Sequence, residues 1–135
     1  MLRSMMPALA TAILAWAGAA QAADAPTLAN TPPVVVKTEP PAGASDVPAS
    51  TTEIRVTFSK KMRDKAWSWV MVSQDSFPKL AGDPHYSADL ITCILPVALE
   101  TGHTYAIWIN SSGAQNFQDS DGHNAVPYLL VFSAK

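Results

Sequence analysis

The sequence predicts an all-β protein, a two-sheet sandwich of about seven antiparallel strands. Three observations lead there. Its apolar runs are short and β-branched or aromatic, and turn residues punctuate them. One run, "TEIRVTFS", alternates cleanly. Ile54, Val56 and Phe58 face one way and Arg55, Thr57 and Ser59 the other, as in a half-buried antiparallel strand. Finally, 135 residues suit a single domain, and the number and spacing of the runs fill one sandwich core.

The N-terminal stretch is set apart from that domain. "MLRSMMPALATAILAWAGAAQA" has one early positive charge, Arg3, then an apolar run from Met5 to Ala20, then Ala20-Gln21-Ala22. Small residues flanking one position form the pattern that signal peptidase cuts after. The run is short for a membrane span of about 20 residues, and no basic stop-transfer cluster follows. Residues 1–22 are therefore read as a signal peptide, and the protein as exported, periplasmic or secreted, with no membrane span after cleavage. Residues 23–33, rich in Pro and Ala, are read as a flexible or extended arm, and residues 34–135 as the sandwich.

The elements follow in order. Val34–Thr38 is the first strand. "EPPAGASDVP" turns the chain, with prolines fixing φ and Gly43 permitting positive φ. "TEIRVTFS" is the second strand, and "KKMRDKA" is expected to make one short helical turn. "WSWVMVS" is a strand with Trp67, Trp69 and Met71 on one face and Val70 and Val72 on the other. "QDSFPKLAGDP" reads as loop, "HYS" as a short edge strand and "DLITCILP" as a strong strand. After "VALETG", "HTYAIWIN" puts Tyr105, Ile107 and Ile109 on one face. A long loop, "SSGAQNFQDSDGHNAV", precedes the last strand, "PYLLVFS". The expected core is Val36, Ile54, Val56, Phe58, Val70, Val72, Leu90, Ile94, Leu99, Tyr105, Ile107, Val131 and Phe132. Tyr105 follows a turn at the start of a late strand, the position of the tyrosine corner of Greek-key sandwiches.

Charge and motifs narrow the function. The formal net charge is −2 and no basic patch stands out, which argues against nucleic acid or an anionic membrane as partner. The single cysteine, Cys93, has no partner for an intramolecular disulfide, and its apolar strand predicts a buried thiol. Neither Gly-x-Ser-x-Gly nor His-Glu-x-x-His occurs, so no catalytic residues are assigned and an enzyme is not expected.

Three segments together carry a resemblance. "VVVKTEPPAGASDVPASTTEIRVTFSKKM", "LETGHTYAIWI" and "FQDSDGHNAVPYLLVF" resemble the bacterial Ig-like domains of the S-layer (SbsA) type. The matching positions are Pro40, Gly43, Ala44, Val47, Pro48, Phe58, Ser59, Met62, Leu99, Gly102, Tyr105, Asp119, Gly122 and Phe132. The resemblance implies an Ig-like Greek-key sandwich and a non-catalytic spacer or interaction module of the cell envelope. Its partner would be an envelope protein or a cell-wall polymer.

The turn "DSDGH" is also similar to that of CopC-type periplasmic copper carriers, in which an Asp-Gly-His turn ligates Cu(II). Asp121 and His123 match it, and Asp119 stands near them. Imidazole nitrogen and carboxylate oxygen suit Cu(II), the one cofactor this turn suggests. The histidine that begins the mature copper carriers, and their methionine-rich motif, are missing here. The plainer reading makes Asp119 and Asp121 loop stabilisers, Gly122 a residue at positive φ and His123 a solvated side chain. A calcium loop ranks below copper because its distal Glu is lacking. Trp67 and Trp69, sharing a face, are the candidate interaction surface for a protein or a carbohydrate.

Overall fold

The computed structural model describes residues 11–13 and 24–135. The proposed leader, residues 1–22, lies outside the described residues except for 11–13. Eight strands are formed: β1 Val35–Glu39, β2 Glu53–Phe58, β3 Trp69–Met71, β4 Lys79–Leu80, β5 His85–Tyr86, β6 Thr92–Ala98, β7 Thr104–Ile109 and β8 Tyr128–Ser133. One antiparallel sheet runs β1-β2-β6, with β4 and β5 both on the far edge of β6, and the other runs β3-β7-β8. The molecule is an all-β sandwich.

Alternation builds the core between the sheets. In β2, Ile54, Val56 and Phe58 are buried while Glu53, Arg55 and Thr57 alternate outward. Cys93, Leu95 and Val97 of β6 meet them from the same sheet. Across the sandwich, Tyr105 pairs with Phe132 and Ile107 with Leu130, all four buried. Phe117, from the loop before β8, is 0% exposed, with its ring 5.2 Å from Phe58 and 5.4 Å from Trp69.

Pro96 explains why the far edge of β6 carries two short strands. The Val97 N–H points to β2, where it donates to Thr52 O at 2.9 Å. By alternation, the missing donor of Pro96 faces the opposite edge. There β4 pairs with Val97 and Ala98, β5 pairs with Cys93 and Ile94, and the ladder is broken between them.

Several expectations are corrected. There is one more strand than predicted, because Lys79–Leu80 pairs within a stretch read as loop. "KKMRDKA" makes no helical turn; Met62 bridges to Asp119 and is a fully buried core residue. Val36 is 60% exposed, because a register shift between Val35 and Lys37 turns it outward. Val72 lies past the end of β3 and is half exposed. Leu90 sits in a turn before β6 at φ 61°, a conformation no leucine announces. Val70 and Val131 are half-buried and lie on the outer side of the three-stranded sheet. Leu99 is only half-buried, at the core's margin. Within the arm, Thr27 and Asn30 exchange hydrogen bonds across a turn.

The free edge of β8 is covered by residues 43–49. Gly43 N–H donates to Val131 O, Ser133 N–H to Ala44 O, Val47 N–H to Ser133 O and Lys135 N–H to Val47 O. The bridge between Val47 and Ala134 is parallel, and Gly43 starts the segment at φ 84°.

Tyr105 buries its ring and accepts the Glu100 N–H at 2.8 Å through its hydroxyl. Tyr105→Phe should cost about 1 kcal/mol, the net worth of one hydrogen bond. Urea denaturation checks this, and a loss below about 0.3 kcal/mol would make the contact incidental.

Candidate functional site

The loop between β7 and β8 contains the turn with the metal-type residues. Its base is Asn110, at φ 59° and fully buried. Asn110 Nδ2 donates to Phe117 O at 2.9 Å and Ala125 O at 3.0 Å, and its Oδ1 accepts the Phe117 N–H at 2.9 Å. One side chain thus ties both arms of the loop and seats Phe117 in the core.

At the tip, Gly122 N–H donates to Asp119 O and Asp119 N–H to His123 O. Gly122 closes the turn at φ 89°, where a side chain would be strained. Asp119 is 1% exposed. Its Oδ1 accepts the N–H groups of Asp121 at 3.0 Å and His123 at 2.9 Å. Its Oδ2 lies 2.6 Å from Lys60 Nζ and 2.7 Å from His123 Nδ1. Burial raises the Asp119 pKa, but the Lys60 ammonium, the backbone and ring of His123 and the Asp121 N–H outweigh it and hold the carboxyl well below the usual range. An ionised carboxylate only accepts, so His123 Nδ1 carries the hydrogen.

Asp119, Asp121 and His123 offer ligand atoms within 4.8 Å of one another, the only such trio among the described residues. Asp119 is ill suited to an added cation, because Lys60 already neutralises it at contact distance. Asp121 is exposed and His123 half-buried, with Nε2 left over. That leaves two ligands for Cu(II), one of them oriented by a buried carboxylate in the manner of an outer-shell partner. His85 and His103 do not join them. His103 Nε2 lies 2.7 Å from Asp75 O, and its ring stacks on Tyr105.

Trp67 and Trp69 are both half-buried, not an open platform. Trp69 packs edge-on against Phe117, and Trp67 tilts against Tyr86 at 6.3 Å. Trp69 Nε1 is buried without a hydrogen-bond partner, and burial pushes the nearby Cys93 thiol up to about 12. The outer parts of both rings line an apolar groove of about 530 Å³ with Met71, Phe77, Leu80 and Pro84. Trp67 also borders a second groove, of about 570 Å³, with Asp64, Lys65, Asp83, His85 and Tyr86. The Tyr86 hydroxyl donates to Ala66 O at 2.6 Å, and burial raises its pKa.

Two residues of this region were not visible as functional in the sequence. Lys60 is 59 positions from Asp119 and belongs to an ordinary "SKKM" run. Asn110 ends a strand, where asparagine at positive φ is a recognisable signal, but its three partners depend on the folded loop.

Comparison with known proteins places this geometry. The family described as "Bacterial Ig-like domain" matches residues 29–134. None of the curated proteins matches. Among solved structures, the crystal structure of the S-layer protein rSbsC(31-844) is 19% identical, with a TM-score of 0.48, over 78% of this chain and 14% of that one. The structure of surface layer protein SbsC, domains 1-6, is 17% identical, with a TM-score of 0.43, over 77% of this chain and 14% of that one. The chain thus spans about a seventh of the length of either S-layer chain.

Proposed function

We propose that this chain, which belongs to the bacterial Ig-like domain family, is a non-enzymatic exported module that binds or spaces components of the cell envelope. The observation that carries the reading is the use made of buried polar groups. Asn110 clamps the last loop, Ser68 Oγ accepts the Asn116 N–H, and Asp119 organises the turn. Asn110 and Ser68 are spent on backbone and Asp119 on backbone, Lys60 and His123, so none is poised as an acid, base or nucleophile facing a cleft. Surfaces, not a reaction centre, are then left to act. Exported protein incubated with isolated cell envelopes is expected to co-sediment with them. Protein that stays in the supernatant, or a substrate turnover lost in a point variant, would overturn this reading.

A second reading has the turn bind Cu(II) through Asp121 and His123 Nε2. The 2.7 Å contact of His123 Nδ1 with Asp119 favours it by presenting the other ring nitrogen outward. The ammonium of Lys60 and the two-ligand count oppose it. A Cu(II) titration is expected to give binding weaker than micromolar. Submicromolar affinity lost in His123→Ala would move the function to copper handling. A carbohydrate ligand is favoured only by the second groove, where the Trp67 and Tyr86 rings meet the carboxylates of Asp64 and Asp83.

A further inference from the structure

Residues 25–33 precede β1 and carry no ionisable side chain. They are nevertheless folded. Thr27 N–H donates to Asn30 Oδ1 at 2.7 Å and Asn30 N–H to Thr27 Oγ1 at 3.2 Å. Asn30 Nδ2 donates to Ala25 O at 3.2 Å, and Thr31 Oγ1 to Thr27 O at 2.6 Å. The chain that follows this turn is gripped from two sides. Just past β2, Ser59 N–H donates to Val34 O at 2.9 Å, and Ser59 Oγ accepts the Val34 N–H at 3.0 Å. From the loop before β8, Val126 N–H donates to Pro33 O at 3.0 Å, and Pro33 is buried. Lys60 joins the two sides. Its ammonium donates to Thr31 O at 3.0 Å and, at a longer 3.5 Å, to Ala29 O, and it pairs with Asp119 Oδ2 at 2.6 Å.

From this we infer that residues 25–33 are a latch, closed by Lys60 onto the Asp119–His123 turn, so that the two segments order and loosen together. Lys60 is the connecting group for a chemical reason. The latch offers it carbonyl oxygens alone, and a flexible lysine stem gives up much rotamer freedom when it is fixed. Asp119 supplies the opposite charge that steadies the ammonium where those carbonyls can accept from it. The reverse dependence comes from water. The carbonyls of Thr31 and Ala29 occupy places on the ammonium that water would otherwise take, and the Lys60 and Asp119 side chains are only 14% and 2% exposed. With the latch lifted, water reaches the pair, and its attraction falls towards that of a surface ion pair. Each contact therefore strengthens the other, and a coupling of this kind is reciprocal. Its consequence is communication. The approach of the chain to β1 and the tip of the last loop have two joint arrangements, latched and released, and whatever engages one end biases the other. The coupling stands whether or not the protein acts in the cell envelope.

The test is nitrogen-15 relaxation of the backbone amides, read as order parameters. In the wild type, Thr27 to Thr31 are expected near the rigid value of about 0.85, like the strands. Lys60→Met keeps the stem and removes the charge, and should drop these five amides below about 0.6 while β2 and β6 stay rigid. Lys61→Met, at the exposed neighbouring position, should change nothing. Asp119 retains the N–H groups of Asp121 and His123 and the His123 ring in Lys60→Met, so folding should survive, which circular dichroism checks. The reciprocal arm perturbs the latch instead. Asn30→Ala, at an exposed residue, undoes the turn of the latch and should speed hydrogen exchange of the Asp121 and His123 amides severalfold, with β6 amides unchanged. If Lys60→Met fails to fold, this arm decides alone. A wild type already mobile over residues 27–31 overturns the coupling. So does a latch that stays rigid in Lys60→Met, or a turn whose amides exchange at the wild-type rate in Asn30→Ala.

Discussion

Asp119→Ala is expected to lower the unfolding free energy by about 3–5 kcal/mol, the cost of removing one partner from a buried ion pair. The reason is what remains. Lys60 Nζ, on a side chain only 14% exposed, would lose its carboxylate and keep Thr31 O at 3.0 Å as a neutral partner. The N–H groups of Asp121 and His123 would lose their acceptor, and the bridge from Met62 to Asp119, which ties the chain after β2 to the last loop, would be left to backbone alone. For a domain of this size the loss corresponds to a fall in Tm of more than about 10 °C. Asp121→Ala, in the same turn but exposed, should change stability by less than about 0.5 kcal/mol. Equal effects from the two variants would show that the carboxylate is not the organising group. The same pair fixes an acid response. The folded-state pKa of Asp119 lies below its unfolded value, so its stabilisation is present above about pH 4 and is lost as pH falls further towards the folded pKa. Wild-type protein should therefore lose stability below about pH 4 more steeply than Asp119→Ala, which has already lost that contribution. Parallel acid curves for the two proteins would contradict the ion pair.

The second large effect is expected at Asn110. Asn110→Ala deprives Phe117 N–H, Phe117 O and Ala125 O of their buried partners and places alanine at φ 59°. Each orphaned group costs about 1–3 kcal/mol, partly relieved if water enters, so a total of about 3 kcal/mol is expected. Asn110→Gly removes the same three bonds without the backbone strain, and should be about 1 kcal/mol less damaging than alanine. Urea denaturation of the three proteins separates the two contributions. If Asn110→Gly is as stable as the wild type, the clamp is dispensable and only the turn matters. The loss should also show in tryptophan fluorescence, since Phe117 holds Trp69 edge-on at 5.4 Å.

What the sequence revealed tracks how local each signal is. The alternation of Ile54, Val56 and Phe58 needs only period two, and it placed β2 and its inner face correctly. The "HYS" edge and the long runs of β6, β7 and β8 were equally plain. Val36 failed because a bulge, set by pairing with β2, reverses the face from one residue to the next. Val72 and Leu90 failed at strand ends, where the run of apolar residues outlasts the hydrogen-bonded ladder. Lys79–Leu80 was missed because two residues beside prolines and glycine carry no period, and their strand exists only through Val97 and Ala98. The turn was legible as Asp-Ser-Asp-Gly-His. That Asp119 would be its buried hub, with Lys60 as counter-ion, requires a contact across 59 positions that no spacing rule contains.

The segment 43–49 laid along β8 gives the domain a mechanical character. Five backbone hydrogen bonds join it to Val131–Lys135, and the pairing at Val47 and Ala134 is parallel. Tension entering before β1 and leaving through Lys135 would load the β1–β2 ladder first and, once past it, pull the two segments in opposite directions along their own axes. The load then falls across those bonds together, in shear, so they must yield nearly at once and cannot be unzipped one by one. A module with this closure resists stretching along its length far better than its short strands suggest.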